Sequence, residues 1–195
     1  MKRISLLAGA LALIPVAAFA QDAETADIVT SLLSDWPLLI AVIGAALATI
    51  LPCIGSTLGV SMVGQAGAGL LTEKPDLAGK VITLAVLPGS QGLYGMVISL
   101  LFLFNFGTVV LDQSVELTSL QGWAIFVAFL PVIITCLTSA IYQAKVCSAG
   151  MHMLAKDGRL AGRVITMAAL VETYALLGFL ISFFMLNALK AGILS

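Results

Sequence analysis

Apolar residues gather into four long blocks along the chain, residues 36–71, 80–106, 120–154 and 163–189, separated by short polar breaks. Each block holds at least the ~20 residues that an α-helix needs to cross the hydrocarbon core of a bilayer, so the pattern predicts four transmembrane helices. The first and third blocks are longer than one crossing requires. They are expected to tilt, curve or project beyond the bilayer.

A shorter block precedes these four. Met1-Lys2-Arg3, the apolar residues 4–17 and Ala18-Phe19-Ala20 supply the basic start, the short apolar core and the small-residue site of a secretory signal, with cleavage expected after Ala20. The alternative is an uncleaved anchor helix. Residues 21–35 then form a polar leader carrying Asp22, Glu24, Asp27 and Asp35, placed outside the cytoplasm.

Charge orients the helices. Residues 72–79 and 155–162, with the flanking residues, hold Lys74, Lys80, Lys156, Arg159 and Arg163, whereas residues 107–119 hold Asp112 and Glu116 and no Lys or Arg. Basic loops stay on the cytoplasmic side, so both termini and the middle loop are expected outside, in agreement with the export signal.

Composition narrows the class. The 195 residues are 61% hydrophobic and 10% charged, and the mean hydropathy of +1.13 is that of a polytopic membrane protein. A net charge of −1 gives no reason to expect nucleic acid as a partner. Cys53, Cys136 and Cys147 all lie in apolar runs and read as small packing residues. With His152 the single histidine, no ligand cluster for a transition metal is spaced along the chain.

The chain repeats itself. Leu77-Ala-Gly-Lys-Val-Ile-Thr83 matches Leu160-Ala-Gly-Arg-Val-Ile-Thr166, an offset of 83 residues (160 − 77) that also superposes Cys53 on Cys136, Ser56 on Ser139, Gly95 on Gly178 and Ser99 on Ser182. Two tandem copies of a helical hairpin are predicted, residues 36–108 and 109–195, inserted in the same orientation. Two hairpins alone enclose little, which favours lateral association into a larger assembly.

One difference between the copies carries chemistry. Glu172 lies in the apolar fourth block, roughly 14 Å along the helix from Arg163 and near mid-membrane. An unpaired acid there costs about 2.5 to 3.5 kcal/mol even on gentle insertion scales, so it is expected to face a partner, a cavity or an ion. The equivalent position in the first copy is Gly89, within Leu87-Pro-Gly-Ser-Gln-Gly-Leu-Tyr94. That stretch offers Ser90, Gln91 and Tyr94, and Pro88 is expected to kink the helix and free carbonyls near Leu87. The third block adds Gln143. Neutral oxygens around one carboxylate suit a hard monovalent cation.

Each group also has a plainer role. Pro88 and its glycines can form a packing kink; Ser90, Gln91 and Gln143 can bridge helices at ~0.6 kcal/mol per bond. Lys145 can snorkel toward the cytoplasmic side, and the Gly55-Ser-Thr-Leu-Gly59 face can be a tight helix contact.

Leu-Pro-Gly-Ser-Gln-Gly-Leu-Tyr at 87–94, Tyr-Gln-Ala-Lys-Val at 142–146 and Val-Glu-Thr-Tyr-Ala-Leu-Leu-Gly at 171–178 resemble the rotor-ring proteolipid, subunit K, of bacterial V-type ATPases. The similarity covers residues 36–189. It implies a sodium site formed by Glu172, Gln143, Gln91, Ser90 and the Leu87 carbonyl, with Tyr94 bonding the carboxylate. Ser90 stands where threonine is expected, keeping the oxygen but losing a methyl that restrains its rotamer. The resemblance further implies a homo-oligomeric ring in lipid, a stator subunit with an intramembrane arginine and a central stalk at the cytoplasmic loops. The membrane would be the bacterial inner membrane. With no phosphate-binding loop, ATP chemistry is left to other subunits. Three alternatives stay open: a proton-carrying rotor, a hairpin-built channel or scaffold, and a proton-relay enzyme subunit.

Overall fold

The computed structural model describes residues 35–107 and 117–194. The expected export signal, nearly all of the acidic leader and most of the middle loop lie outside them. The described residues form four long apolar spans, Trp36–Glu73, Pro75–Phe106, Ser119–Lys156 and Gly158–Ile193, with no strand among them. The first is one helix, α1 (Trp36–Glu73), and the third is another, α4 (Ser119–Lys156). The fourth is a 3-10 turn, Gly158–Leu160, running into α5 (Ala161–Leu194). The second is composite: α2 (Ala78–Val86), a 3-10 turn at Leu87–Gly89, α3 (Ser90–Phe102) and a π-helical end at Leu103–Gly107.

The helix starts follow from local chemistry. The Asp35 side chain accepts from the Leu38 N–H at 3.3 Å, with a proline in the first turn of α1, where its missing N–H costs nothing. Thr118 and Gln121 form a capping box at the start of α4.

The ends depart from expectation. Residues 72–79 and 155–162 read as loops by charge, yet only Lys74 and Asp157 lie outside helical conformation. Charged residues can extend a helix past its apolar part, and only a backbone constraint stops it. The first stop is Pro75, which disfavours helical geometry at Lys74 (φ −133°, ψ 72°). The second is the extended Asp157 (φ −152°, ψ 112°) ahead of Gly158. Lys74 Nζ donates to the Ala155 carbonyl at 2.5 Å, tying one turn to the C-terminal end of α4. Arg159, whose guanidinium and backbone N–H both donate to Asp157, holds that carboxyl below the usual carboxylate range.

α4 packs against α1, α3 and α5, and α1 against α3. Of the most apolar window of each span, 44% is buried in the first and third but 22% in the fourth, so α1 and α4 form the inside of the packing and α5 lies on its periphery.

The duplication is visible in three dimensions. Cys53 Sγ meets the Gly92 carbonyl at 3.9 Å, and its repeat mate Cys136 meets the Ala175 carbonyl at 3.9 Å. Gly67 lies against Val81 and Gly150 against Val164; Gly95 lies against Ala48 and Pro52, and Gly178 against Pro131 and Thr135. At Gly95 the reason is specific. Pro52 has no amide hydrogen for the Ala48 carbonyl, and the bare glycine lets the second span close onto that carbonyl. A Cβ there would meet Pro52 Cγ at 2.8 Å and the Ala48 backbone, neither of which can swing away. Gly95→Leu is expected to destabilise the protein by about 1 to 3 kcal/mol or more, read as a lower thermal unfolding midpoint in detergent. An unchanged midpoint would mean that α1 and α3 do not pack this closely.

Candidate functional site

The break in the second span builds the site. Without an amide hydrogen, Pro88 cannot continue the i to i−4 ladder, and the chain tightens into the 3-10 turn Leu87–Gly89. Its repeat mate is Val171, and there α5 runs uninterrupted. After the turn, the Ser90 N–H bonds the Leu87 carbonyl, and Ser90 Oγ also lies 3.0 Å from that oxygen. Ser90, Gln91 and Tyr94 therefore leave the first turn of α3 on the side where α4 and α5 pass.

Glu172, on α5, is half-buried among them. Its Oε1 accepts from Ser90 Oγ at 2.7 Å and from the Tyr94 hydroxyl at 2.7 Å. Its Oε2 faces Gln143 Nε2 of α4 at 3.4 Å. The Tyr94 ring is held by Phe179, with centroids 5.8 Å apart. All six residues expected from the sequence, Leu87, Ser90, Gln91, Tyr94, Gln143 and Glu172, thus fall in one connected network spanning three helical spans.

The network's polarity follows from its donors and acceptors. Gln143 Nε2 faces two acceptors, Glu172 Oε2 and the Ala168 carbonyl at 3.2 Å. Its Oε1 is thereby turned to Gln91 Nε2, at 2.6 Å. Gln91 spends its donor on that bond, and its own Oε1, fully buried, has no hydrogen-bond donor among the described residues. An orphaned buried oxygen costs about 1 to 3 kcal/mol. No cation of the described residues approaches the Glu172 carboxylate within ion-pair distance, so the network, with this spare acceptor one amide away, is suited to a positive charge supplied from outside the chain. The groups brought together include one carboxylate, two amides, one serine hydroxyl and one carbonyl, all with an oxygen to offer, and Gln143 turns its nitrogen toward the carboxylate in this arrangement. Hard cations prefer oxygen ligands.

The Ala168 carbonyl was not among the expected groups. It lies one helical turn before Glu172 on α5, so the i, i−4 spacing could have pointed to it. Lys145 stays outside the network. It is exposed, with Nζ 4.7 Å from the Tyr142 ring centroid.

The sequence profile of the ATP synthase C-subunit family matches the chain twice, at residues 43–102 and 126–185, once in each hairpin. The chain is 47% identical over 152 residues to the V-type sodium ATPase subunit K of Enterococcus hirae, covering 77% of this chain and 93% of that protein. It is 36% identical over 156 residues to the A-type ATP synthase subunit K of Methanocaldococcus jannaschii, covering 80% and 66% respectively. The V-type proton ATPase subunit c′ of Candida glabrata is 30% identical over 139 residues, covering 71% and 82%.

Proposed function

The chain belongs to the ATP synthase C-subunit family, and from that membership and the polar network at Glu172 we propose that it is the sodium-carrying proteolipid of a V-type ATPase rotor ring. One observation carries the reading: the half-buried Glu172 carboxylate is met by three neutral donors and by no cation of the described residues. Sodium is the cargo. The sodium ATPase relative from Enterococcus hirae, 47% identical, supports it over the proton.

In this reading Glu172 supplies the charge, and Gln143, Gln91, Ser90 and the Leu87 carbonyl supply neutral oxygens. Gln143 would have to turn its amide so that oxygen replaces nitrogen toward the ion. That turn points Gln143 Nε2 at Gln91, whose amide turns in response so that its orphaned Oε1 accepts from Gln143 and keeps a second lone pair for the ion. Tyr94 keeps its hydrogen bond to the carboxylate and restrains it. A loaded site is nearly neutral, which lowers the cost of carrying Glu172 past lipid. Copies associate in a ring, and α5, the least covered span, faces lipid and the stator. A stator arginine there displaces the ion by pairing with Glu172. The 3-10 turns around Lys74 and Asp157 face the cytoplasmic stalk, with both termini outside the bacterial inner membrane.

Carbodiimide labelling tests this. The reagent attacks a protonated carboxyl, so bound sodium should slow modification of Glu172 at neutral pH, in a concentration-dependent way that potassium does not reproduce. Equal labelling rates at every sodium concentration would leave the proton as the cargo.

A further inference from the structure

α1 supplies none of the residues gathered around Glu172, yet it holds the backbone that carries Ser90, Gln91 and Tyr94. Gly92, between Gln91 and Tyr94, lies in the first turn of α3, where the α-helical ladder does not yet supply backbone acceptors. A helix start usually finds one on the side chain of the residue just before it. Here that residue is Gly89, which has no side chain to offer. The acceptor comes instead from across the helix interface: the Gly92 N–H donates to Ser56 Oγ of α1 at 2.9 Å, with Ser56 only 7% exposed.

Two further contacts bring α1 against the same stretch. Cys53 Sγ, one turn before Ser56, lies 3.9 Å from the Gly92 carbonyl, so both backbone groups of Gly92 face α1. A Cβ on Gly59 would meet Pro88 Cβ at 2.7 Å, which seats the interrupted turn Leu87–Gly89 on α1 as well. The second copy shows the same serine without the interruption. Ser139, the repeat mate of Ser56, is also buried, but its hydroxyl donates to the Cys136 carbonyl of its own helix at 3.3 Å, and α5 runs unbroken past Val171, the mate of Pro88. Of the two serines, the one that bonds another helix is the one opposite the break.

We infer that Ser56 is a positioning residue of the sodium site: by accepting from the Gly92 N–H, its hydroxyl fixes the first turn of α3 in the orientation that presents Ser90 and Gln91 to Glu172 and Gln143. The inference rests on the sodium reading proposed above and adds a residue from the one span that offers the ion no ligand. Among the described residues, Ser56 Oγ bonds the Gly92 N–H and no side chain of the site, so its effect runs through the backbone. Without that acceptor the turn relaxes in the empty site, and sodium has to restore it on binding. Ordering the ligands at the moment of binding lowers affinity. The rate at saturating sodium is kept, because Glu172 and the groups around it are unchanged once the site is full.

The test compares Ser56→Ala with Ser139→Ala in the complete ATPase. Loss of a helix-capping acceptor should raise the sodium needed for half-maximal protection of Glu172 from carbodiimide roughly three- to thirtyfold in Ser56→Ala. Half-maximal ATP-driven sodium uptake should shift by the same factor, while uptake at saturating sodium and labelling without sodium stay at wild-type rates. Ser139→Ala removes a similarly buried hydroxyl that stays within its own helix, and should leave the sodium requirement unchanged. Ser56→Cys keeps a weaker acceptor of similar size and should fall between serine and alanine. A wild-type sodium requirement in Ser56→Ala overturns the positioning role and leaves the sodium reading standing. So does an equal rise in Ser139→Ala, or failure of both Ser56 variants to assemble where Ser139→Ala assembles. A wild-type protein that sodium never protects overturns both.

Discussion

Glu172→Gln is expected to abolish sodium-coupled rotation while leaving the assembly intact. The substituted amide is nearly isosteric, and its oxygen can still accept from Ser90 and Tyr94, which meet Oε1 at 2.7 Å. Packing volume is therefore preserved, while the charge and the acceptor that Oε2 offers Gln143 Nε2 at 3.4 Å are lost. Opposite unit charges about 4 Å apart interact by about 4 kcal/mol at an effective dielectric of 20, so sodium affinity should fall roughly a thousandfold. Carbodiimide labelling should disappear with the carboxyl. In liposomes containing the complete ATPase, ATP-driven uptake of radiolabelled sodium should drop to background. Uptake within tenfold of wild type would remove Glu172 from the transport path.

Gln143→Leu should give the next largest effect, through the amides rather than the charge. Gln143 is fully buried and bonds Glu172, Ala168 and Gln91. Leucine fills a similar volume but withdraws one donor from the carboxylate and the acceptor of Gln91 Nε2. Buried Gln91 would then have both amide atoms unpaired, at about 1 to 3 kcal/mol for each group. Sodium should be needed at roughly 10- to 100-fold higher concentration for half-maximal protection of Glu172, because each 1.4 kcal/mol is about tenfold. Labelling without sodium should stay near the wild-type rate. Gln91→Leu alone should have a similar effect, and the double variant less than the two combined, since the residues share one hydrogen bond. An unchanged sodium requirement in Gln143→Leu would place the ion elsewhere, and additive effects would mean that the two amides act independently.

Much of this protein is legible in one dimension. Four apolar blocks correspond to four spans because crossing a bilayer imposes a minimum length on apolar helices. The gapless offset gives the hairpin pair, and Glu172 stands out because a carboxylate in an apolar span needs compensation. Pro88 marks the one interrupted span, since its missing N–H acts on the local backbone. Helix ends were harder to read. Charge marks the loops at residues 72–79 and 155–162, but helices continue until Pro75 and Gly158 stop them.

Other features depend on distances between spans, which hydropathy does not encode. Only the folded chain shows that Gln143 bonds Glu172 through its nitrogen, that the Gln91 oxygen has no donor among the described residues, and that the Ala168 carbonyl takes part. Hydrogen-bond direction is settled by the full set of neighbours, here brought from three spans. An open groove on α1 lined by Thr49, Ile50, Cys53, Ile54, Thr57 and Leu58 is likewise a tertiary fact. The sequence shows that Thr49–Leu58 and 132–141 correspond; packing decides that one is covered and the other free, because a single α1 can shield only one side of its neighbour. Sequence by itself thus determined which segments cross the membrane and which acid must be neutralised. Tertiary structure decided which groups meet that acid and which face of α1 stays bare, because both depend on contacts between residues far apart in the chain.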